Sequence, residues 1–460
     1  MPTLAAAWPI VGLVLLLAVP LGWLFLSRPQ RGLLLLAALA PFDGLLLIVP
    51  GGASLGSWKE GLVLLVLAAT FVAPPEARRP ADDGARLPGW AIAALALTAL
   101  GAASAVVVGG IVGLWGFKVG FFYLLLPVIC WRCPLDAKER DRLVGILMAA
   151  GVVTAVVGLA QQVVGPERLN ELGYTYNDVI RFSGSLLRSF STFTQPFSFG
   201  LFVMLVLLLA TPVAIADHRR LRNRLFLLST PLLLIGMATS VVRGAILGLV
   251  AGMVFLALWR YRGLVHLVPP LLLVPVLLPA SVLATFLSSS SLGERGSGWQ
   301  ETFGLVAEAP WGQGLGTSGA AAEKALELGA ERNDILIVGG ANYQPDNQYV
   351  KTLLELGPIG LWLLLLVGAA ALVAAVRTAS AHVGVDRALA EGVAACLIAA
   401  GAGSLVATYL EIFPLDLYFW LLLGVLLCLD PRSTSTPSPS APEGAGSRPT
   451  SASSSPPSVP

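Results

Sequence analysis

Two arginines and one aspartate have side chains that could take part in chemistry on a substrate. Arg243 lies between two long apolar runs, and Arg295 and Asp346 lie in the polar stretch from residue 288 to residue 346. A guanidinium presents a rigid fork of donors that suits a pyrophosphate. A carboxylate can accept a proton from a hydroxyl as a general base. The arginines would thus bind an anionic group, and the aspartate would take up a proton.

Each of the three residues also has a plainer interpretation. Arg243 can anchor a helix end by reaching to lipid headgroups, and Arg295 can be a solvated loop charge. Asp346 directly precedes Asn347-Gln348-Tyr349 and is well placed to cap the N-terminus of a helix. Charged residues at the edge of apolar spans are costly and usually functional, which favours a substrate contact for the arginines. For Asp346, base and cap are equally compatible with the sequence.

The elements that must position these residues are membrane helices. The chain of 460 residues has 12% charged residues and a mean hydropathy of +0.80, too little charge for the surface of a soluble domain. Apolar runs near the length of about 20 residues that spans a bilayer recur from residue 4 to residue 429. The predicted helices lie near 4–27, 32–50, 59–75, 89–108, 111–130, 143–165, 195–215, 225–241, 244–259, 264–287, 347–376, 388–410 and 413–429.

Basic residues accumulate in alternate loops, and the positive-inside rule places those loops in the cytoplasm. The N-terminus and two long loops, 166–194 and 288–346, are then outside. Loops of that length are usually functional, and helical propensity predicts a short surface helix over Thr317–Arg332. The Ser/Pro-rich tail, residues 430–460, has almost nothing to bury and is predicted to be a disordered cytoplasmic tail.

Several other patterns exclude whole classes of function. The Cys130-x-x-Cys133 pair has no second pair, and no outward cluster of aspartates has metal-ligand spacing, so no metal or cofactor is expected. The glycines of Gly312–Gly316 lack the strand and the Lys-Ser/Thr of a nucleotide loop, and they suit a tight turn or a close approach to a sugar. The basic run Arg219–Arg224 has no interleaved aromatic residues, so no nucleic acid is expected as a partner.

Four sequence elements, in order, resemble the O-antigen ligase and O-antigen polymerase family of bacterial glycan-assembly enzymes. They are Ser191–Phe197 (STFTQPF), Ser240–Ala245 (SVVRGA), Arg295–Trp299 with Ala309–Gly316 (RGSGW and APWGQGLG), and Asp346–Leu361 (DNQYVKTLLELGPIGL). The resemblance covers about residues 180–365. The first 165 residues match only as generic membrane helices.

The resemblance implies an all-α polytopic membrane protein of about 12–13 transmembrane helices, with a large extracytoplasmic loop and short surface helices, similar to class C glycosyltransferases. Residues 1–165 would form N-terminal transmembrane helices, and 166–429 the ligase/polymerase-like domain with its outer loop at 288–346. It implies a metal-independent glycosyltransferase of the bacterial inner membrane that acts at the periplasmic face. The implied partners are an undecaprenyl-pyrophosphate-linked glycan donor, a glycan or lipid A-core acceptor, membrane lipids, a chain-length regulator and a flippase.

The resemblance also implies roles for individual residues. Arg243 and Arg295 would stabilise the negative charge that develops on the leaving diphosphate. Asp346 stands where the ligases typically have a histidine, and this departure favours a polymerase slightly over a ligase. Further candidates for substrate binding are Lys118, Arg188, Gln195, Asn347, Tyr349 and Glu355.

Two of these candidates have alternatives of their own. Lys118 lies inside a predicted helix, where it would pair with a carboxylate or contact a lipid phosphate, and we predict it as a third contact to the donor phosphate. Glu355 would orient an arginine or pair at the interface.

A transporter or flippase of lipid-linked glycan, without transferase chemistry, is the main alternative function. Such carriers tend to have related halves and polar residues near the bilayer midplane. We find no convincing internal repeat, and the charges accumulate near the predicted outer helix ends, which favours the enzyme. A peptidoglycan-type polymerase is a third possibility, but the four elements match it less well.

Overall fold

The computed structural model of the protein describes residues 25–80, 86–267, 304–338 and 340–429, and the single residues Gly22 and Pro269. Its helices, numbered in chain order, are α1 Pro29–Leu39, α2 Trp58–Val72, α3 Gly89–Val108, α4 Gly110–Phe121, α5 Leu125–Arg132, α6 Ala137–Val164, α7 Pro166–Glu171, α8 Pro196–Ala216, α9 Leu221–Thr239, α10 Arg243–Trp259, α11 Gly319–Glu327, α12 Gln348–Ala381, α13 Gly384–Gly403 and α14 Leu415–Leu429. Two short antiparallel hairpins join β1 Arg181–Ser183 to β2 Leu186–Arg188, and β3 Ile337–Val338 to β4 Ala341–Asn342.

The architecture is that of an all-α polytopic membrane protein. Seven helical segments of the described chain are long and apolar enough to cross a membrane: Pro29–Leu47, Gly89–Val108, Gly110–Arg132, Ala137–Val164, Pro196–Ala216, Leu221–Thr239 and Gln348–Ala381. Helices α10 and α14 are apolar but shorter. The expectation of an all-α membrane fold is therefore confirmed.

The observed helices follow the predicted spans wherever the chain is described, with one informative difference. The span predicted at 388–410 ends as α13 at Gly403, because the chain then bends to let the carbonyls of Ser404 and Ala407 accept the N–H of Gln348. The predicted spans near 4–27 and 264–287 lie largely outside the described residues. The predicted tail at 430–460 lies entirely outside them.

Helix α8 forms the centre of the bundle and is buried along most of its length. It packs against α6, α9, α10 and α13. Glycines allow the closest crossings: a Cβ on Gly248 or Gly252 of α10 would lie 3.0 Å from a carbonyl oxygen of α13, and one on Gly392 would lie 2.5 Å from the carbonyl oxygen of Leu209. Such small residues let neighbouring helices approach closely inside a membrane.

Helix α12 is broken at Gly357-Pro358, where Gly357 has a φ of +66°. Pro358 has no N–H to donate to the carbonyl of Leu354. The glycine segment Gly312–Gly316 replaces the missing donors: Gln313 N donates to Leu354 O at 2.7 Å, and Gly314 N to Glu355 O at 3.1 Å. Of the two roles expected for these glycines, the structure shows the tight turn, which caps the first part of α12.

We expect Gly357→Ala to lower stability by about 2–3 kcal/mol, because it combines positive φ with a steric clash. A Cβ at residue 357 would lie 2.8 Å from the carbonyl oxygen of Pro310. The melting temperature of the purified protein in detergent measures the effect. Gly61→Ala is the matched control, because a Cβ on this helical glycine would meet nothing within 4 Å. Equal melting temperatures for the two variants would contradict the account of the break.

One end of the bundle carries the long connections 165–195, 304–347 and 404–414, and we call it the loop end. Gln161 Nε2, near the end of α6, donates to Ser191 O at 2.8 Å, and Ser198 Oγ, at the start of α8, donates to Phe413 O at 2.7 Å. Leu315 N donates to Ser104 Oγ at 2.9 Å. The short surface helix expected over Thr317–Arg332 is present as α11.

Candidate functional site at the loop end

Three arginines come together at the loop end. In the β1–β2 hairpin, Arg181 and Arg188 are directly opposite each other across the two strands, and Arg243 is the first residue of α10. Like charges in such a cross-strand pair are destabilising unless something compensates them. Among the described residues, no carboxylate forms an ion pair with Arg181 or Arg188. We call Arg181, Arg188 and Arg243 the arginine cluster.

Arg188 is a half-buried member of the cluster. Its Nε donates to Ser240 O at 3.2 Å, and its guanidinium lies 5.0 Å from the centre of the Phe197 ring. Burial, and then the positive charges of Arg181 and Arg243, lower the pKa of Arg188 to about 10. The side chain therefore keeps its charge at neutral pH, and an anion that neutralised the cluster would relieve the repulsion.

The N-terminus of α12 lies against the 404–414 connection. Asn347 caps the helix by accepting hydrogen bonds from Tyr349 N at 2.8 Å and Val350 N at 3.1 Å, and its Nδ2 donates to Leu405 O at 2.9 Å. The cap is thus Asn347 and not Asp346, because the Asn347 backbone is extended where the helix begins. Asp346 precedes the cap and is exposed to solvent.

The 404–414 connection joins this helix start to the arginine cluster. A Cβ on Gly244, the neighbour of Arg243, would lie 3.0 Å from Val406 Cγ2, one residue from the Leu405 carbonyl that binds Asn347. Ser198 of α8 binds Phe413 in the same connection. The N-termini of α8, α10 and α12 therefore converge here, and helix N-termini favour anions.

Two candidates at the loop end, Gln195 and Tyr349, lie near the starts of α8 and α12. Gln195 precedes α8 and is half-buried, two residues from the Phe197 ring that packs on Arg188. Tyr349 Oη donates to Gly401 O at 2.8 Å. These contacts fix the start of α12 against the end of α13.

A buried charge triad lies one turn further into α12. Lys351 Nζ contacts both Glu355, on the same helix, and Glu411 Oε1 of the 404–414 connection, the latter at 3.1 Å. The three side chains are 3%, 4% and 7% exposed. Glu355 Oε1 also accepts hydrogen bonds from Ser318 N and Oγ at 3.1 and 2.9 Å. Glu355 thus pairs with a lysine, and the triad fastens the outer loop, α12 and the connection together.

Lys118 lies in a separate ionic group formed by α2 and α4. Its Nζ is 2.8 Å from Glu60 Oε1 and 4.0 Å from the centre of the Trp115 ring. The neighbouring Lys59 Nζ binds Asp43 at 3.0 Å. Of the partners expected for Lys118, the structure shows the carboxylate.

We expect Lys118→Met to lower stability by about 2 kcal/mol, because it leaves the largely buried Glu60 without its counter-ion. Adding Glu60→Gln should restore most of the loss, and activity should follow stability in both variants. Melting temperatures and glycan transfer measured on the same preparations test this. Activity that is lost at wild-type stability, and is not restored by Glu60→Gln, would instead indicate a direct contact between Lys118 and the donor phosphate.

Sequence reasoning gave Arg188 and Arg243 a role but not Arg181, Lys351 or Glu411. Arg181 lies opposite Arg188 because of the register of the β1–β2 hairpin, and no local sequence pattern predicts that register. Lys351 and Glu355 are four residues apart on one helix face, a spacing that signals a pair. Arg295 lies outside the described residues. Within them, no group of three or more His, Cys, Asp or Glu side chains is placed to hold a metal ion.

The fold and these sites define a polytopic helical membrane protein with a cationic, loop-covered end. Residues 228–365 match the family model described as O-antigen ligase, so this part of the chain is similar to that family. Three of the four sequence elements fall within the match, so the resemblance to this family is confirmed. No curated protein matches the chain significantly. This match supports a role as a membrane glycan ligase or polymerase.

Proposed function

We propose that the protein transfers or polymerises an undecaprenyl-pyrophosphate-linked oligosaccharide during assembly of a surface polysaccharide. A hydroxyl oxygen of the acceptor sugar attacks the anomeric carbon of the donor, and a new glycosidic bond forms. The bond between that carbon and the phosphate oxygen breaks, and undecaprenyl pyrophosphate leaves. The hydroxyl proton passes to a general base, so atoms and charges balance.

The observation that carries this proposal is the arginine cluster at the convergence of three helix N-termini. Negative charge develops on the diphosphate as its bond to the sugar breaks, and preorganised cations in a partly desolvated site stabilise that charge. Arg243 and Arg188 are the proposed diphosphate contacts, together with Arg295. The arrangement supplies its positive charge without a metal, and we propose a metal-independent transfer.

Asp346 is the proposed general base. It is exposed, it directly precedes the capped start of α12, and the 404–414 connection links that start to the arginine cluster. A carboxylate at the position where ligases have histidine makes us favour a polymerase over a ligase.

We place the reaction at the outer face of the bacterial inner membrane. The positive-inside pattern supports this placement of the loop end, because the basic run Arg219–Arg224 would then face the cytoplasm. Asp141 lies near the start of α6, whereas the end of α6 lies at the loop end. Asp141 binds Arg220 and Arg222 of the basic run at 2.9 Å, so the run lies at the opposite end of the bundle. The acceptor is then a glycan chain or lipid A-core, and chain-length regulators and flippases would act beside this protein.

The size distribution of lipid-linked and surface glycans in a strain lacking the protein tests the proposed function. Single repeat units that accumulate, with long chains absent everywhere, would identify a polymerase. Long chains that remain on the polyprenyl carrier, and are missing from the final acceptor, would identify a ligase. An unchanged glycan profile would contradict both and favour the transporter.

A further inference from the structure

A pocket opens at the end of the bundle opposite the loop end, where α8 and α10 end and α13 begins. Its volume is about 280 Å³, close to the lower limit of about 300 Å³ for pockets that hold small molecules. Its polar lining consists of Arg260, Tyr261, Arg387 and Glu391, and Ile215 contributes to an apolar wall. We call it the Arg260 pocket. None of these residues belongs to the site proposed for glycan transfer.

Glu391 holds the cationic side chains of the Arg260 pocket in place. It is 1% exposed, and it accepts hydrogen bonds from Arg387 Nε at 2.9 Å and from Tyr261 Oη at 2.7 Å. Arg260 Nη1 lies 3.9 Å from the same carboxylate. The side chains of Arg260 and Arg387 are 49% and 32% exposed. The carboxylate is therefore buried, whereas both arginine side chains remain accessible at the pocket.

The Arg260 pocket has an excess of positive charge. Two arginines share the single negative charge of Glu391, and Asp386, the neighbour of Arg387, instead binds Arg140 at 2.9 Å. Each guanidinium has five N–H donors, and Arg387 Nε alone among them donates a hydrogen bond within the described part of the chain. The other donors are available to an oxyanion, and the planar fork of a guanidinium matches a phosphate.

The surface beside the Arg260 pocket is apolar. Ile215 is exposed, and so are Leu258 and Trp259, the last residues of α10 before Arg260. On a membrane helix such residues face acyl chains, and tryptophan is typical of the level of the lipid headgroups. A soluble phosphate would contact the arginines only, whereas a phospholipid would contact both the arginines and this apolar surface. The combination favours a lipid as the ligand.

We propose that the Arg260 pocket binds the headgroup phosphate of an anionic membrane lipid such as phosphatidylglycerol. The phosphate would lie on Arg260 and Arg387, and the acyl chains would lie along Ile215 and Leu258. Basic pockets between membrane helices recognise anionic headgroups in this way. A ligand that binds only the folded protein stabilises it, so the lipid would hold α8, α10 and α13 together at the end remote from the arginine cluster. This inference does not depend on the proposed function.

Lipid binding to the full-length, delipidated protein in detergent, measured by native mass spectrometry, tests the proposal. We expect wild-type protein to bind phosphatidylglycerol at least about ten-fold more tightly than phosphatidylcholine, because the arginines repel the choline cation. Arg260→Gln should weaken phosphatidylglycerol binding about ten-fold, as expected for the loss of one hydrogen bond between charged groups. Arg219→Gln is the matched control, because Arg219 is an exposed arginine of the same end that does not line the pocket, and its affinity should equal that of the wild type.

A second variant removes both arginines without leaving a buried carboxylate unpaired. The triple variant Arg260→Gln, Arg387→Gln, Glu391→Gln should fold, and it should lose the preference for phosphatidylglycerol over phosphatidylcholine. A triple variant that keeps this preference, or equal weakening by Arg260→Gln and Arg219→Gln, would overturn the proposal in favour of a diffuse attraction between basic residues and lipid. Inorganic phosphate that binds as tightly as phosphatidylglycerol would also overturn it, because the ligand would then be a soluble anion.

Discussion

Replacement of Arg243 by alanine should reduce glycan transfer about 10²–10³-fold, the loss seen when one preorganised donor to developing negative charge is removed. Arg243 begins α10 beside Arg188, and the N-termini of α8 and α12 converge on the same connection. The charge matters most in the transition state, so the rate should fall more than the donor affinity. Transfer kinetics with the purified protein give both quantities.

Two further variants show whether the Arg243 effect is local. Arg243→Lys keeps the charge but loses the planar fork, and we expect partial activity. Arg168→Ala removes an arginine of the same loop end whose side chain is 72% exposed and paired with Glu171, and we expect wild-type activity. Near-normal transfer by correctly inserted Arg243→Ala would remove Arg243 from the mechanism.

Replacement of Lys351 by methionine should lower stability by about 3–5 kcal/mol and leave little folded protein, because it strands two buried carboxylates next to each other. Glu355 and Glu411 are 4% and 7% exposed and share the Lys351 ammonium. Their repulsion would separate α12 from the 404–414 connection, which also joins the arginine cluster. Thermal unfolding in detergent and the yield of monodisperse protein measure the loss.

Replacing all three charged residues of the triad by neutral ones distinguishes a loss of stability caused by charge from one caused by packing. The triple variant Lys351→Met, Glu355→Gln, Glu411→Gln should recover most of the lost stability, because no unpaired charge remains. Lys324→Met, which removes the exposed partner of Glu327, should change stability by less than about 0.5 kcal/mol. A triple variant as unstable as Lys351→Met alone would show that the lysine acts through shape and not through charge.

The membrane fold could be predicted from the sequence because run length alone identifies a span. The end of α13 at Gly403 could not be predicted in this way. Residues 404–410 are apolar enough to extend α13, and only the hydrogen bonds that Ser404 and Ala407 accept from Gln348 draw the chain out of the helix. Those bonds join segments far apart in sequence, and no local pattern reports them.

The candidate site likewise contains residues that the sequence could identify and residues that only the fold brings together. Arg243 was recognisable because charge next to an apolar span is costly, and Arg188 because it precedes the Ser191–Phe197 element. The strand register that sets Arg181 opposite Arg188, and the fold that brings Glu411 to Lys351, depend on long-range packing. The helix cap fell on Asn347, one residue after the aspartate, because both residue types cap well and only the backbone angles decide between them.

Reconstituted transfer tests the central claim most directly. The purified protein in nanodiscs is given undecaprenyl-pyrophosphate-linked repeat units, and both the glycan length and the released undecaprenyl pyrophosphate are measured. The account predicts a ladder of longer lipid-linked glycans, one undecaprenyl pyrophosphate released for each bond formed, and no ladder with Arg243→Ala. Repeat units that stay unchanged in length with wild-type protein, both alone and with a lipid A-core acceptor, or that cross the bilayer without forming a bond, would contradict it.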